Sequence, residues 1–187
     1  MPQKVIQEKI ILGVDPGTNV MGYGLILIKK NQPSLLQFGV IHLSRYSDHA
    51  LKLKKIFEKI TQLIKEYHPD EMALEAPFYG KNIQSMLKLG RAQGVAMSAA
   101  LALEIPIVEY APKKVKQSVT GNGNATKEQV AAMLMNILSF KAEEDNLLDA
   151  TDALGVALCH FYQKGNNQRK NKSWKAFLNE NPNRVKK

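Results

Sequence analysis

The chain has 187 residues, 44% of them hydrophobic and 23% charged, with a formal charge of +9. These values describe one ordinary globular domain with a full core, or at most two very small ones, and exclude a mainly disordered chain, a collagen and a coiled-coil rod. No apolar run approaches the ~20 residues of a membrane helix, and the basic balance points to a polyanionic partner, nucleic acid ahead of an anionic membrane surface.

The opening residues, MPQKVIQEKIILG, are not expected to act as a secretory signal. They lead into KIILGVD (9–15), which reads as a buried strand, and Pro16-Gly17 forces a turn. Residues 22–29 (GYGLILIK) and 34–43 (SLLQFGVIHL) read as two more strands, so the chain begins with an antiparallel meander. Residues 48–67 follow a helical period, with Leu51, Leu53, Ile56, Ile60, Leu63 and Ile64 on one stripe. His68-Pro69 ends that helix. EMALE (71–75) is a short strand closed by Ala76-Pro77. Residues 82–103 form a long helix rich in small residues, including Gly90, Ala92, Gly94, Ala96, Ala99 and Ala100. Its smooth surface suits close packing of another helix, internal or from a second subunit. Residues 105–110 form a fifth strand. Pro112 starts a short helix that stops at Gly121, GNGNA is a loop, and further helices cover 126–139 and 147–163. The order predicts an α/β fold with a mixed five-stranded sheet, meander first and βαβ crossovers after, flanked by helices.

The charge is uneven along this order. Residues 164–187 hold eight Lys and Arg against one Glu, a net +7 that leaves +2 for the rest. This predicts one domain over 1–163 and a basic, flexible tail over 164–187, expected to add salt-sensitive attraction to DNA. Cys159 is the single cysteine, which excludes an internal disulfide and fits a reducing cytoplasm.

Four carboxylates fall where strands and helices end. Asp15 closes the first strand before Pro-Gly, and by itself reads as a turn-forming residue. Glu75 closes EMALE beside buried residues, where a lone charge is costly unless paired or metal-bound; a salt-bridged strand end is the simpler reading. Asp149 and Asp152 stand three apart on the last helix and share a face. Their repulsion calls for lysines or a cation, with the helix dipole offsetting part of it; the simpler reading is a cap and a solvated acid. Together the four can converge on one spot, and hard oxygen ligands suit Mg²⁺ or Mn²⁺. Two such ions about 3.5–4 Å apart activate water and stabilise the leaving oxygen of a phosphodiester. The residues alone reach a metal-dependent nuclease. His160 reads as packing in the last helix.

Four segments then carry a resemblance: ILGVDPGTNVMGYGLI, ALEAPFYGKNIQSMLKLGRAQGVA, EYAPKKVKQSVTGNGNATKEQV and DATDALGVALCH. In order and spacing they resemble the RuvC family of bacterial Holliday-junction resolvases, over roughly residues 9–163. The resemblance implies a ribonuclease H-like fold and a homodimer built on the helix at 82–103. It implies an endodeoxyribonuclease that nicks two opposing strands of a four-way junction symmetrically, leaving 5′-phosphates, with Mg²⁺ or Mn²⁺ as two ions per site. It also implies work beside the branch-migration proteins RuvA and RuvB in recombination and repair. The family's acids fall on Asp15, Glu75, Asp149 and Asp152, with Asp15 expected to be shared by both ions. Its stacking aromatic falls on Phe78, and its DNA-contacting lysines on Lys116 and Lys127. Apart from the resemblance, Phe78 reads as core and the two lysines as solvated.

Three other readings stand beside this one. The stretch GVDPGTNVMGYG also suits the phosphate hairpin of an ATPase of the actin, Hsp70 and sugar-kinase type, which needs a second such domain and a longer chain. A junction-binding module without chemistry gains nothing from four acids at its site. Another nuclease of the same fold is separated only by the order and spacing of the four segments.

Overall fold

The computed structural model describes residues 8–77, 82–141 and 147–170. Five strands form one sheet: β1 (Lys9–Asp15), β2 (Val20–Lys29), β3 (Gln32–His42), β4 (Glu71–Glu75) and β5 (Ile107–Tyr110). Their spatial order is β3-β2-β1-β4-β5. The pairs β1–β2 and β2–β3 are antiparallel, while β1–β4 and β4–β5 are parallel, the mixed sheet the element order predicts. Five helices complete the fold: α1 (His49–Tyr67), α2 (Ile83–Leu101), α3 (Pro112–Thr120), α4 (Lys127–Ile137) and α5 (Leu147–Lys170). The fold is ribonuclease H-like.

Strand alternation sorts side chains to the two faces of the sheet. Leu12, Val14, Met72 and Leu74 enter a core with α1 and α2. On the opposite face Ile11 and Ala73 pack with residues of α3, α4 and α5. Each fully buried Leu or Ile contributes about 1.5–3 kcal/mol by leaving water, so both faces are firmly covered.

Local signals set the helix ends. The Asp48 side chain accepts from Ala50 N–H at 3.1 Å to start α1, and His68 closes it in the left-handed region at φ 48°. Pro112 opens α3 and Gly121 closes it at φ 79°, a conformation that favours glycine. Thr126 and Gln129 form a capping box at the start of α4.

Some expectations differ from the structure. Leu51 does not share the buried stripe of α1: Ile56, Ile60, Leu63 and Ile64 are buried, while Leu51 is 46% exposed. At about 100° per residue, Leu51 falls on the side of the helix opposite Ile60. The small residues of α2 serve two surfaces. Ala92, Ala96, Ala99 and Ala100 are buried in the core with α1, whereas a Cβ on Gly90 or Gly94 would meet nothing within 4 Å. Helix α5 runs on to Lys170, past the residue-163 limit of its apolar period, and Lys164 ties that extension to Glu71. Residues 171–187 of the basic tail lie outside the described residues. Among the described residues, no helix is long and apolar enough to cross a membrane.

Candidate active site

Sheet register brings the first two acids together. Val14 pairs with Leu74 across parallel β1 and β4, so Asp15 and Glu75 end neighbouring strands at the same edge. Ligands of open α/β sheets bind at the carboxyl ends of strands for this reason. Alternation turns both residues to the face covered by α5, since Gly13 and Ala73, two residues earlier, face that helix.

Glycines bring in the other two acids. Asp15 pairs with Gly22 on β2, and a Cβ on Gly22 would stand 2.0 Å from the Asp149 carbonyl oxygen. A Cβ on Gly13 would stand 2.0 Å from the Ala153 carbonyl oxygen. Helix α5 therefore lies backbone to backbone across β1 and β2, and its first two turns carry Asp149 and Asp152 to the strand ends. Gly13, Gly22 and Gly24 are the sequence signal for this approach, one that hydrophobic periodicity does not reveal.

The gathered acids repel one another. Burial, with the negative charges of Glu75, Asp152 and Asp149, pushes Asp15 up to about 8 against the pull of Lys127. Burial and the charge of Asp152 push Glu75 up to about 7, opposed by Lys127 and Lys116. Burial also raises Asp152, against its hydrogen bond from Lys127. Burial and the neighbouring negative charges thus favour a proton on Asp15.

Two lysines face this charge. Lys127, the first residue of α4, donates from Nζ to Asp152 Oδ2 at 2.5 Å and stands 3.7 Å from Asp149 Oδ1. Burial pulls its ammonium down, but the bond to Asp152 and the charges of Asp152, Asp15 and Asp149 outweigh that, so it rises. Lys116 on α3 acts at longer range, lowering both Glu75 and Asp152. The structure thus brings together Asp15, Glu75, Asp149, Asp152, Lys116 and Lys127. Phe78 lies outside the described residues.

The donor set is all carboxylate oxygen, the chemistry of a hard divalent cation, and it is short of positive charge. It is not a closed cage: among the described residues, no three His, Cys, Asp or Glu side chains converge closely enough to hold an ion.

A model of the family "Crossover junction endodeoxyribonuclease RuvC" matches residues 11–160. This chain belongs to the RuvC family. A crossover junction endodeoxyribonuclease RuvC from Cytophaga hutchinsonii is 69% identical over 179 residues, covering 96% of this chain and 89% of that protein. One from Porphyromonas gingivalis is 55% identical, covering 96% and 98%. Among solved structures, Thermus thermophilus RuvC in complex with a Holliday junction substrate is 27% identical with a TM-score of 0.73, covering 84% of this chain and 96% of that one.

In this RuvC-family chain, one further contact supports the site. Lys52 on α1 donates to the Thr18 carbonyl oxygen at 3.2 Å, holding the turn that follows Asp15. It escaped the sequence reading because a lysine on a charged helix face looks solvated; only the packing of α1 against this turn distinguishes it. His160, by contrast, is 1% exposed and its ring nitrogens meet Glu71 and Tyr110, so its place is the interior, as expected.

Proposed function

We propose that this chain resolves four-way DNA junctions as an endodeoxyribonuclease, with Asp15, Glu75, Asp149 and Asp152 as its catalytic acids. The observation that carries the reading is four carboxylates gathered at two strand ends and one helix start, three of them (Asp15, Glu75 and Asp152) raised by burial and by neighbouring negative charge, and faced by Lys127 and Lys116. Such a site has more negative charge than its lysines neutralise. The same four residues would hold Mg²⁺, with Mn²⁺ able to substitute, as two ions per site. When bound, divalent cations supply Lewis-acid activation of water and neutralise the leaving oxygen. The chain's own residues do the rest. Ionised Asp15 and Glu75 fix the cation-binding edge on β1 and β4, which the sheet holds rigid. Lys127 and Lys116 neutralise phosphate oxygens as the DNA backbone enters. Phe78, shortly after Glu75 in sequence, is assigned to stacking on an exposed base at the crossover.

Paired, symmetric nicks need two sites, and α2 is the proposed dimer helix. Ile83, Leu87, Gly90, Gly94, Met97 and Leu101 recur at alternating spacings of four and three, the period of a helix–helix seam. Ile83 is 73% and Leu101 59% exposed. The two glycines on that seam allow close backbone approach. The family further implies RuvA and RuvB as working partners, and action in the cytoplasm during recombination and repair.

The test is cleavage of a synthetic mobile four-way junction beside a linear duplex of the same sequence, with Mg²⁺ and with chelator, mapping both nicks. Expected are two opposed nicks with 5′-phosphate ends in the junction alone, lost in Asp15→Asn while junction binding persists. Equal cutting of the linear duplex, cutting in chelator, or wild-type rates in Asp15→Asn would each overturn the proposal.

A further inference from the structure

We propose that His160, Glu71 and Tyr110 form a pin that sets the position of α5 along the sheet, and with it the separation of Asp152 from Glu75. They are positioning residues for the cleavage proposed above, and their catalytic consequence rests on that reading.

The contact between α5 and the sheet shows what a pin adds. Where α5 crosses β1 and β2, Ala153 and Ala157 rest on Gly13, the Asp149 carbonyl on Gly22 and Leu154 on Gly24, and Leu154 and Leu158 share a core cluster with Ile11, Ile26 and Ile28. This apolar packing holds the helix on the sheet, but it is non-directional. Directional bonds add a fixed position along the helix axis.

His160 supplies two of them from a buried position. Its Nε2 stands 2.6 Å from Glu71 Oε2 and its Nδ1 stands 2.8 Å from the Tyr110 hydroxyl. An ionised carboxylate only accepts, so Nε2 carries the hydrogen, and Nδ1 accepts from the Tyr110 O–H. Burial, with the charge of Lys9, pushes His160 down to about 4, and burial pushes Tyr110 up to about 12. The neutral imidazole and phenol therefore keep these roles at neutral pH. Glu71 is held in turn by Lys9 at 2.5 Å and by Lys164. The pin thus joins α5 to β1, β4 and β5 at once.

The two arms from pin to site match in length. From His160 back to Asp152 is eight residues of helix, about 12 Å at the α-helical rise. From Glu71 to Glu75 is four residues of strand, about 13 Å. Fixing His160 on Glu71 at one end therefore sets Asp152 level with Glu75 at the other. A slip of one residue along α5 moves Asp152 by about 1.5 Å, and a misplacement near 1 Å can cost about a hundredfold in rate.

Three variants test this in the full chain. His160→Leu keeps bulk and deletes both bonds; Tyr110→Phe deletes one; His160→Gln can still donate to Glu71 and accept from Tyr110. Single-turnover nicking and junction Kd are measured at a temperature where each variant is folded, and crystal structures are determined for the wild type and variants. His160→Leu should nick about tenfold more slowly or worse, with Kd within about twofold. Tyr110→Phe should lose less, and His160→Gln should recover most of the rate. The Cα separation of Asp152 and Glu75 should change in His160→Leu and return in His160→Gln. A folded His160→Leu with wild-type rate, or with that separation unchanged, overturns the pin. Should His160→Leu not fold, Tyr110→Phe decides by the same two readouts. A wild-type protein that does not nick would sink the cleavage proposal alone; the crystallographic separations need no activity and still decide the pin.

Discussion

Asp15→Asn should stabilise the cation-free protein, and more so as the pH rises. The unfolded chain releases the Asp15 proton near 3.8, whereas the folded protein holds it to about 8. Between those values the folded state carries a proton that the unfolded state lacks, so stability falls with rising pH. The loss starts above the unfolded value and is complete once the pH passes the folded one. One proton of difference is worth about 1.4 kcal/mol per pH unit. Asp15 keeps some contact with solvent, which screens part of this, so we expect on the order of 2 kcal/mol to be lost from this residue between pH 5 and pH 8. Glu75, held to about 7, adds a slope of the same sign at lower pH. Asparagine removes the Asp15 share while keeping its size. Urea unfolding of both proteins in chelator at pH 5, 6, 7 and 8 is the assay. The wild-type midpoint should fall with pH and the variant midpoint should fall less, so that the gap widens. Parallel curves would refute the claim that repulsion and burial at Asp15 are built into the fold. Adding Mg²⁺ to the wild type at pH 7 should release protons, read by a pH indicator, because cation and proton compete for the same carboxylates.

Gly22→Ala should cost about 1–3 kcal/mol in urea unfolding, the range of an overpacked core. Its Cβ would stand 2.0 Å from the Asp149 carbonyl oxygen, and α5 must lift to admit it; a loss below about 0.5 kcal/mol would disprove the close approach. Lys127→Met should slow single-turnover junction nicking about tenfold or more and raise the pH at which Asp152 ionises, since it removes the cation 2.5 Å from that carboxylate; unchanged carboxyl titration by NMR would argue against it. Leu87→Glu, on the exposed face of α2, should turn the proposed dimer into a monomer by sedimentation velocity and uncouple the two nicks, and a persistent dimer would overturn the assignment of α2 as the dimer helix.

Much of this protein is legible along the chain because its elements are set locally. Asp48, Gly121 and Thr126 mark helix ends through bonds to their own neighbours and Pro112 through its fixed φ, and two-residue alternation in β1 and β4 assigns each side chain to a face. Asp15 and Glu75 can be singled out as acids at strand ends on the same grounds. Which groups meet is a different matter. The pairing of Val14 with Leu74 joins residues 60 positions apart, and only the parallel crossover sets it. The approach of Asp149 to Gly22, the choice of Lys127 rather than another lysine as the partner of Asp152, and the lock of His160 on Glu71 all depend on where α5 lies across the sheet. No local pattern encodes that placement, and even within one helix Leu51 shows that a loose apolar run does not assign a face. Local propensity and turn chemistry act over a few residues, and so the sequence by itself determines the elements and names the candidates. Electrostatic and packing energies act between surfaces brought together by folding, and so the tertiary structure alone decides that four acids share one site and that Asp15, Glu75 and Asp152 hold their protons more tightly there.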